Sequence, residues 1–277
     1  MNQNDFTLSL PVDRYSPIFI GGLYRSGTSI MRRLLNSHPH IACGRESKLF
    51  KDNRLEGIYT DLRTIWPTIL SPRYEFDPHT VDQVMAWLMH SIFMPYCQKQ
   101  GKQRWAEKTP NNILFIDTLF AVFPAAQFIH MIRDPRDAFC SARERAAKDK
   151  PRWATWTPKQ VAAEWCRRIH SGLAWREQPN RYREVRYEEL VTQPEATLRS
   201  LFAFLDEPWA ASVLENNPTF STSVGRWRSE LGAAEVAEME GVAGETMRAL
   251  GYPLSTASLS PPHAHPSVKA SPLLERQ

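Results

Sequence analysis

Short apolar runs alternate with longer amphipathic stretches along the chain. Buried strands are predicted for the brief apolar runs at 17–22, 127–133 and 182–186. Helices are predicted where apolar residues recur at helical spacing, at 29–37, 81–98, 111–123, 158–177, 194–205 and 233–250. Strands that alternate with helices are typical of an α/β fold, built around a central, mainly parallel sheet that is flanked by helices.

The composition changes near the C-terminus. Residues 255–277 hold five Ser and four Pro and almost no aromatic side chains. A segment of this kind buries too little surface to offset the entropy cost of ordering it. We therefore expect one folded domain over residues 12–254 and a disordered tail over residues 255–277.

The overall composition is that of a globular protein, with 277 residues, 42% of them hydrophobic and 23% charged. Fibrous, collagen-like and wholly disordered chains are excluded. No apolar run approaches the ~18–20 residues that span a bilayer, and residues 1–11 lack the pattern of a signal peptide. The four cysteines form no Cys-x-x-Cys pair, which argues against a disulfide framework or a zinc cluster. We expect a cytoplasmic protein without a membrane span.

The charge balance is mildly basic, since 34 Lys and Arg against 30 Asp and Glu give a formal charge of +4. Proteins that bind nucleic acid usually concentrate basic residues on one stripe, with aromatic residues between them. Here the arginines are spread along the chain. We therefore expect no nucleic-acid partner.

The segment 22–29 (GLYRSGTS) has the glycine spacing of a phosphate-binding loop, and it lies between a predicted strand and a predicted helix. Backbone N–H groups and the positive end of the helix bind anions in such loops. An ordinary glycine turn is the alternative. Thr28 replaces the usual lysine, and Arg25 supplies the cation. The loop should therefore hold a phosphate without being adapted to γ-phosphoryl transfer.

This loop resembles that of the sulfotransferases that use 3′-phosphoadenosine 5′-phosphosulfate (PAPS). The resemblance is closest to the tyrosylprotein sulfotransferases and their bacterial relatives, and it continues through residues 31–32, 38–39 and 43–47. It implies a P-loop-type domain, PAPS as co-substrate and 3′-phosphoadenosine 5′-phosphate (PAP) as product. It also implies a set of residues that hold the 5′-phosphosulfate: Arg25, Ser26, Gly27, Thr28 and Ser29.

A second anchor lies at residues 133–141, where Arg133 ends a predicted strand and Ser141 follows about two helical turns later. A plain helix cap with Arg133 paired to an acid is the alternative. The resemblance implies that Arg133 and Ser141 hold the 3′-phosphate, with Arg145 as a further ligand. It also implies that Tyr187 lies against the nucleotide, and that Ser223 and Arg226 belong to a loop that covers it.

Glu46 and Lys108 are the candidate catalytic residues that the resemblance implies, Glu46 as general base and Lys108 beside the leaving phosphate. The alternatives are a helix-start acid for Glu46 and a surface lysine paired with Glu107. His38, His40 and His130 are alternative candidates for the base, but we predict a structural role for each. A sulfonate carries less charge than a phosphoryl chain and needs no Mg²⁺, and no metal-ligand spacing occurs, so we expect no metal.

The expected function is sulfonate transfer from PAPS to a hydroxyl group of a small-molecule acceptor. A nucleotide-dependent kinase with a degenerate P-loop is one alternative, and a catalytically silent nucleotide-binding protein is another. Aromatic side chains at 49–80 and 148–157 are candidates for the rim of an acceptor pocket, with peripheral packing as the alternative. A homodimer is compatible with the sequence.

Overall fold

A computed structural model of the chain describes residues 16–49, 55–74, 80–149, 155–217 and 223–255. The predicted tail, apart from residue 255, lies outside the described residues, as do residues 12–15 of the predicted domain. The division of the chain at residue 254 therefore stays a prediction.

The described residues form a five-stranded sheet in the order β2-β3-β1-β4-β5, and every neighbouring pair is parallel. Its register places Ile20 beside Lys108 on one side and beside Ile129 on the other. The strands are β1 (Ile18–Gly22), β2 (Ile41–Cys43), β3 (Arg104–Lys108), β4 (Gln127–Ile132) and β5 (Tyr182–Arg186). The predicted α/β fold with a parallel central sheet is confirmed.

Helices connect the strands and cover both faces of the sheet. A π-helix (Trp66–Leu70) follows α2 directly, and a 3-10 helix (Pro110–Leu114) follows β3. The α-helices are α1 (Thr28–Ser37), α2 (Leu55–Ile65), α3 (Ser71–Tyr74), α4 (Thr80–Lys99), α5 (Ile116–Val122), α6 (Pro135–Asp149), α7 (Pro158–Leu173), α8 (Tyr187–Thr192), α9 (Pro194–Phe204), α10 (Ser212–Glu215), α11 (Trp227–Glu230) and α12 (Ala233–Ala249).

The two sheet faces are buried because side chains alternate along each strand. Phe19, Trp105 and Phe128 face one side, where they pack with apolar residues of α4 and α5. Ile20 and Ile129 face the other side, where they pack with α1 and α9. Parallel strands that are covered on both faces read as continuous apolar runs, which is why β1 and β4 were predictable.

Some predicted elements differ from the structure. The predicted helix at 111–123 is wrong in its first half, since a 3-10 helix ends at Leu114 and α5 begins at Ile116. Phe115 lies between them with a φ of −126°, outside the helical range. The predicted helix at 158–177 ends earlier, at Leu173. The strands β2 and β3 were not predicted.

The strand order changes direction at β1, which lies between β3 and β4. Ligands of open α/β sheets bind at such a switch point, outside the carboxyl ends of the strands. The loops that follow β1, β3 and β4 begin at this edge. Among the described residues, no helix is both long and apolar enough to cross a membrane.

Candidate active site

The loop between β1 and α1 has a backbone that requires glycine at two positions. Gly22 has a φ of +146°, and a Cβ there would lie 2.4 Å from the carbonyl oxygen of Met131. Gly27 has a φ of +93°, and a Cβ there would lie 2.8 Å from the ring of Tyr187. Arg25 also has a positive φ of 71°, a strained conformation that concentrates at functional sites. The loop is therefore held in one shape that presents Arg25 and the N-terminus of α1.

Arg25 and Arg133 join the two predicted phosphate anchors. The Nε atom of Arg25 donates to the Oγ atom of Ser141 at 3.0 Å. Arg133 donates to the carbonyl oxygens of Arg25 at 2.9 Å and of Ser223 at 2.7 Å. Each of these acceptors is neutral, so the contacts orient the guanidinium groups without neutralising their charge.

The positive charges act on one another. The pKa of Arg25 is lowered, mainly by desolvation and then by the neighbouring charges of Arg133 and Arg145. Two buried polar atoms of this region, Ser26 Oγ and Arg133 Nε, have no hydrogen-bond partner among the described residues. Repelling cations and unused donors fit a polyanionic ligand.

A cavity of about 380 Å³ opens between the loop and the carboxyl ends of β4 and β5. It joins the two predicted anchors into one site. Its lining includes nine of the predicted nucleotide-binding residues: Arg25, Gly27, Thr28, Ser29, Arg133, Ser141, Tyr187, Ser223 and Arg226.

Tyr187 forms part of the floor of this cavity. Its side chain is buried, and the guanidinium carbon of Arg133 lies 4.2 Å from its ring centroid. The ring also lies against Gly27, so it contacts both anchors. Tyr187 begins α8, directly after β5, and this explains its place at the carboxyl edge.

The other predicted cofactor residues differ in their contacts. Arg226 pairs with Glu230 at 2.6 Å and with Glu144 at 3.1 Å, which raises its pKa. Arg145 is exposed and contributes charge near Arg25 without lining the cavity. The first residues of the predicted covering loop, 221 and 222, lie outside the described residues.

Glu46 and Lys108 lie together at the neighbouring carboxyl end of β3. The Nζ atom of Lys108 donates to Glu46 Oε1 at 2.5 Å and lies 3.5 Å from Ser29 Oγ. The Lys108 side chain is only 4% exposed, whereas that of Glu46 is 34% exposed. Lys108 therefore connects the phosphate loop to a carboxylate that an acceptor can reach.

The positions of these residues contradict the alternative interpretations given by the sequence. Glu46 is not a helix-start acid, since the residues around it form no helix. Lys108 is not a surface lysine paired with Glu107. The alternative for Arg133 also fails, because it forms no ion pair with an acid among the described residues, and Asp134 binds Arg136 instead.

The rival histidines are occupied elsewhere. His130 is fully buried, its Nδ1 atom lies 2.6 Å from the Tyr182 hydroxyl, and burial lowers its pKa to about 3. The ring nitrogens of His38 contact the Pro208 carbonyl and the His40 amide. Neither ring faces the cavity.

Comparison with known proteins shows the family of the chain. The model of the family described as "Sulfotransferase family" matches residues 17–211, which is well over half of the chain. The chain belongs to the sulfotransferase family. It is similar to protein-tyrosine sulfotransferase 1 of Danio rerio, at 28% identity over 216 residues, which are 75% of this chain and 58% of that protein. The chain thus spans little more than half the length of this relative.

Solved sulfotransferase structures share the fold. The sulfotransferase domain of the Synechococcus olefin synthase has a TM-score of 0.52 at 20% identity, covering 84% of this chain and 96% of that domain. A mouse sulfotransferase complexed with PAP has a TM-score of 0.51 at 13% identity, covering 86% of this chain and 88% of that one. The P-loop-type fold expected from the resemblance is confirmed.

Three residues of the sulfotransferase cavity were missed by the sequence reasoning: Ile30, Arg33 and Glu144. Ile30 and Arg33 lie three positions apart on α1, so they share one face of that helix. That spacing, counted from the end of the loop, was the available signal. Glu144 enters the site through its ion pair with Arg226, which only the folded chain reveals.

One group of described residues could reach a common metal ion: His38, His40 and Glu207. It lies at the amino ends of the strands, on the opposite edge of the sheet from the cavity. Its donors are engaged, since His40 pairs with Glu207 at 3.0 Å and Arg104 pairs with Glu207 at 3.3 Å. This group therefore takes no part in the candidate active site.

Proposed function

We propose that the chain transfers a sulfonate group from PAPS to a hydroxyl group of an acceptor. The observation that carries the proposal is one cavity lined by both predicted anchors, with Arg25 in the loop between β1 and α1 and Arg133 directly after β4. Two separated phosphate positions distinguish PAPS from ATP. The family membership and the PAP that the mouse structure contains support the same co-substrate.

In the proposed reaction the acceptor oxygen attacks the sulfur atom of PAPS. Glu46 takes the proton of the hydroxyl as the new S–O bond forms. The S–O bond to the 5′-phosphate breaks at the same time, and PAP leaves with the bonding electrons. The partial exposure of Glu46 supports this role, because the acceptor must reach the base directly.

Lys108 stabilises the leaving group in this scheme. Its buried ammonium group lies between Glu46 and the end of the phosphate loop, where negative charge grows on the bridging oxygen. A fixed positive charge in a partly dry site contributes most when charge develops in the transition state. Arg25 and the N-terminus of α1 hold the same phosphate.

A small-molecule hydroxyl stays our prediction for the acceptor. A tyrosine of a protein is the second candidate, because the curated relative is named a protein-tyrosine sulfotransferase. Labelled PAPS and an extract split by dialysis distinguish the two. Label in the dialysable fraction supports a small molecule, and label on protein supports a tyrosine acceptor.

The catalytic assignment is tested with Glu46→Ala. We expect kcat to fall by about 10³-fold, since general-base catalysis contributes ~10²–10⁴, while the Kd for PAP changes little. Arg199→Ala is a surface control, since Arg199 is half exposed and its described contacts are Glu195, one turn earlier on α9, and the ring of Trp209. Undiminished turnover of Glu46→Ala would exclude Glu46 as the base.

The other functional alternatives predict different ligands. A P-loop kinase would bind ATP with Mg²⁺ although Thr28 stands where the lysine belongs. A silent nucleotide-binding protein would bind PAP but transfer nothing. The cytoplasmic location and the homodimer stay predictions from the sequence.

A further inference from the structure

Glu107 carries a buried carboxylate beside the proposed catalytic pair, and no step of the proposed reaction uses it. It is 3% exposed. Its oxygens accept hydrogen bonds from the Ser47 amide at 3.1 Å, the Ser47 hydroxyl at 2.7 Å, the Thr109 hydroxyl at 2.7 Å and the Asn112 side chain at 2.5 Å. Four donors therefore converge on one carboxylate.

Glu107 and Lys108 are consecutive residues of β3, so their side chains point to opposite faces of the sheet. Glu46 and Ser47 are also consecutive. Glu46 contacts Lys108 on one face, and Ser47 contacts Glu107 on the other. The loop thus crosses the end of β3 with one contact on each side of the strand.

A third contact extends this register. The Lys48 amide donates to Thr109 Oγ1 at 3.2 Å, and the same hydroxyl donates to Glu107. Asn112 also donates to the Ile20 carbonyl at 3.3 Å, which ties the network to central strand β1. The segment that carries Glu46 is therefore fixed to the sheet through Glu107.

We infer that Glu107 is a positioning residue that holds Glu46 against Lys108. This inference rests on the proposed function of Glu46. The loop around Glu46 has no regular structure, and Lys48 within it has a positive φ of 57°. Among the described hydrogen bonds, the one that joins the backbone of this loop to a side chain of β3 is the bond from the Ser47 amide to Glu107. The next bond along the loop, from the Lys48 amide, goes to Thr109, which follows β3. A carboxylate held in this way meets the acceptor hydroxyl in one orientation.

The direct test is Glu107→Gln, which keeps the shape of the side chain. The new glutamine NH₂ group is a hydrogen-bond donor, and it would face the Ser47, Thr109 and Asn112 groups that donate to Glu107. At least one of those hydrogen bonds is therefore lost. We expect kcat to fall by roughly 10- to 100-fold, since a displacement of about 1 Å at a reacting group can cost ~10². The KM for PAPS and the Kd for PAP should stay within about twofold, because the nucleotide cavity does not include Glu107.

A second variant guards against misfolding of the first. Ser47→Ala removes one hydroxyl contact to Glu107 and should lower kcat in the same direction by a smaller factor. Ser171→Ala is the matched control, because it deletes the same hydroxyl from a partly exposed site on α7, where its described hydrogen bond goes to the Arg167 carbonyl. Equal kcat for Ser47→Ala and Ser171→Ala, together with normal kcat for Glu107→Gln, would overturn the inference.

A double-mutant cycle separates this inference from the proposed function. If Glu107 acts through Glu46, adding Glu107→Gln to Glu46→Ala should lower the residual rate no further. A loss that multiplies with that of Glu46→Ala would show independent action and overturn the positioning role. Full activity of Glu46→Ala alone would instead overturn the proposed base, whatever Glu107 does.

Discussion

Arg104 and Arg133 lie at opposite edges of the same parallel sheet, and their hydrogen-bond partners differ in charge. At the amino edge, Arg104 lies in a cavity wall with His40 and Glu207. It donates to Glu207, and also to the Leu205 carbonyl and the Gln127 side chain. At the carboxyl edge, the hydrogen bonds that Arg133 donates to described residues both go to carbonyl oxygens. One arginine is neutralised, and the other keeps its charge available.

This difference separates a structural arginine from a binding arginine. Both edges have cavities of similar size, about 290 Å³ at the amino edge and about 380 Å³ at the carboxyl edge. Size therefore does not identify the site. The charge that protein groups leave uncompensated does, because a polyanion binds where cations are oriented but not paired.

The largest effect is expected at the neutralised arginine. Arg104→Ala leaves the Glu207 carboxylate without its guanidinium partner. The side chain of Glu207 is only 10% exposed. Breaking a buried ion pair costs about 3–5 kcal/mol, and partial exposure of both partners places this one at about 3 kcal/mol. Denaturant unfolding measures it. PAP affinity should not change in the folded fraction, and a large change would break the contrast between the edges.

The reverse pattern is expected at the carboxyl edge. Arg133→Ala should weaken PAP binding by about 10- to 100-fold, since a hydrogen bond to a charged group contributes roughly 1.5–3 kcal/mol. The free energy of unfolding should fall by less than it does in Arg104→Ala. Calorimetric titration and denaturant unfolding of the same preparation provide both numbers. A stability loss without a loss of affinity would make Arg133 structural.

His130 lies within β4, between the two edges of the sheet, and lines neither of the two cavities. Because burial lowers its pKa to about 3 from the ordinary 6.5, the unfolded chain binds more protons below pH 6.5. The stability that the neutral ring provides is complete above pH 6.5 and falls with pH. We expect a loss of about 2 kcal/mol between pH 6.5 and 5. In His130→Gln this part of the pH dependence should vanish, and an unchanged slope would contradict the assignment.

The smallest effect is expected from salt. Raising the ionic strength should weaken PAP binding several-fold, because the arginines of the carboxyl edge act partly at long range. The same rise in ionic strength should change the free energy of unfolding by equal amounts in the Arg104→Ala variant and in the unsubstituted chain. A PAP affinity that is insensitive to salt would argue against uncompensated charge in the cavity.

The sequence revealed the parts of the site that depend on local patterns. The glycine loop, the helix cap that follows Arg133 and the eight-residue step from Arg133 to Ser141 can all be predicted from the order of residues along the chain. Asp134 does accept a hydrogen bond from the Arg136 amide at 2.9 Å, as a helix cap requires. The geometry of the Arg25–Ser141 contact follows once these two segments meet at one sheet edge.

The missed features depend on contacts between distant segments. β3 was not predicted because Arg104, Glu107 and Lys108 interrupt its apolar pattern, and β2 is only three residues long. The four hydrogen bonds to Glu107 join positions that are up to 60 residues apart. No local periodicity encodes such a network, so only the folded chain shows it.

The central claim is tested most directly by calorimetric titration of the unaltered chain with PAP, with 5′-AMP and with ATP plus Mg²⁺. We expect PAP to bind at least about 10-fold more tightly than 5′-AMP, since the 3′-phosphate adds charged hydrogen bonds to Arg133 and Ser141. We expect ATP with Mg²⁺ to bind more weakly than PAP. Tight binding of ATP with no binding of PAP would contradict the account.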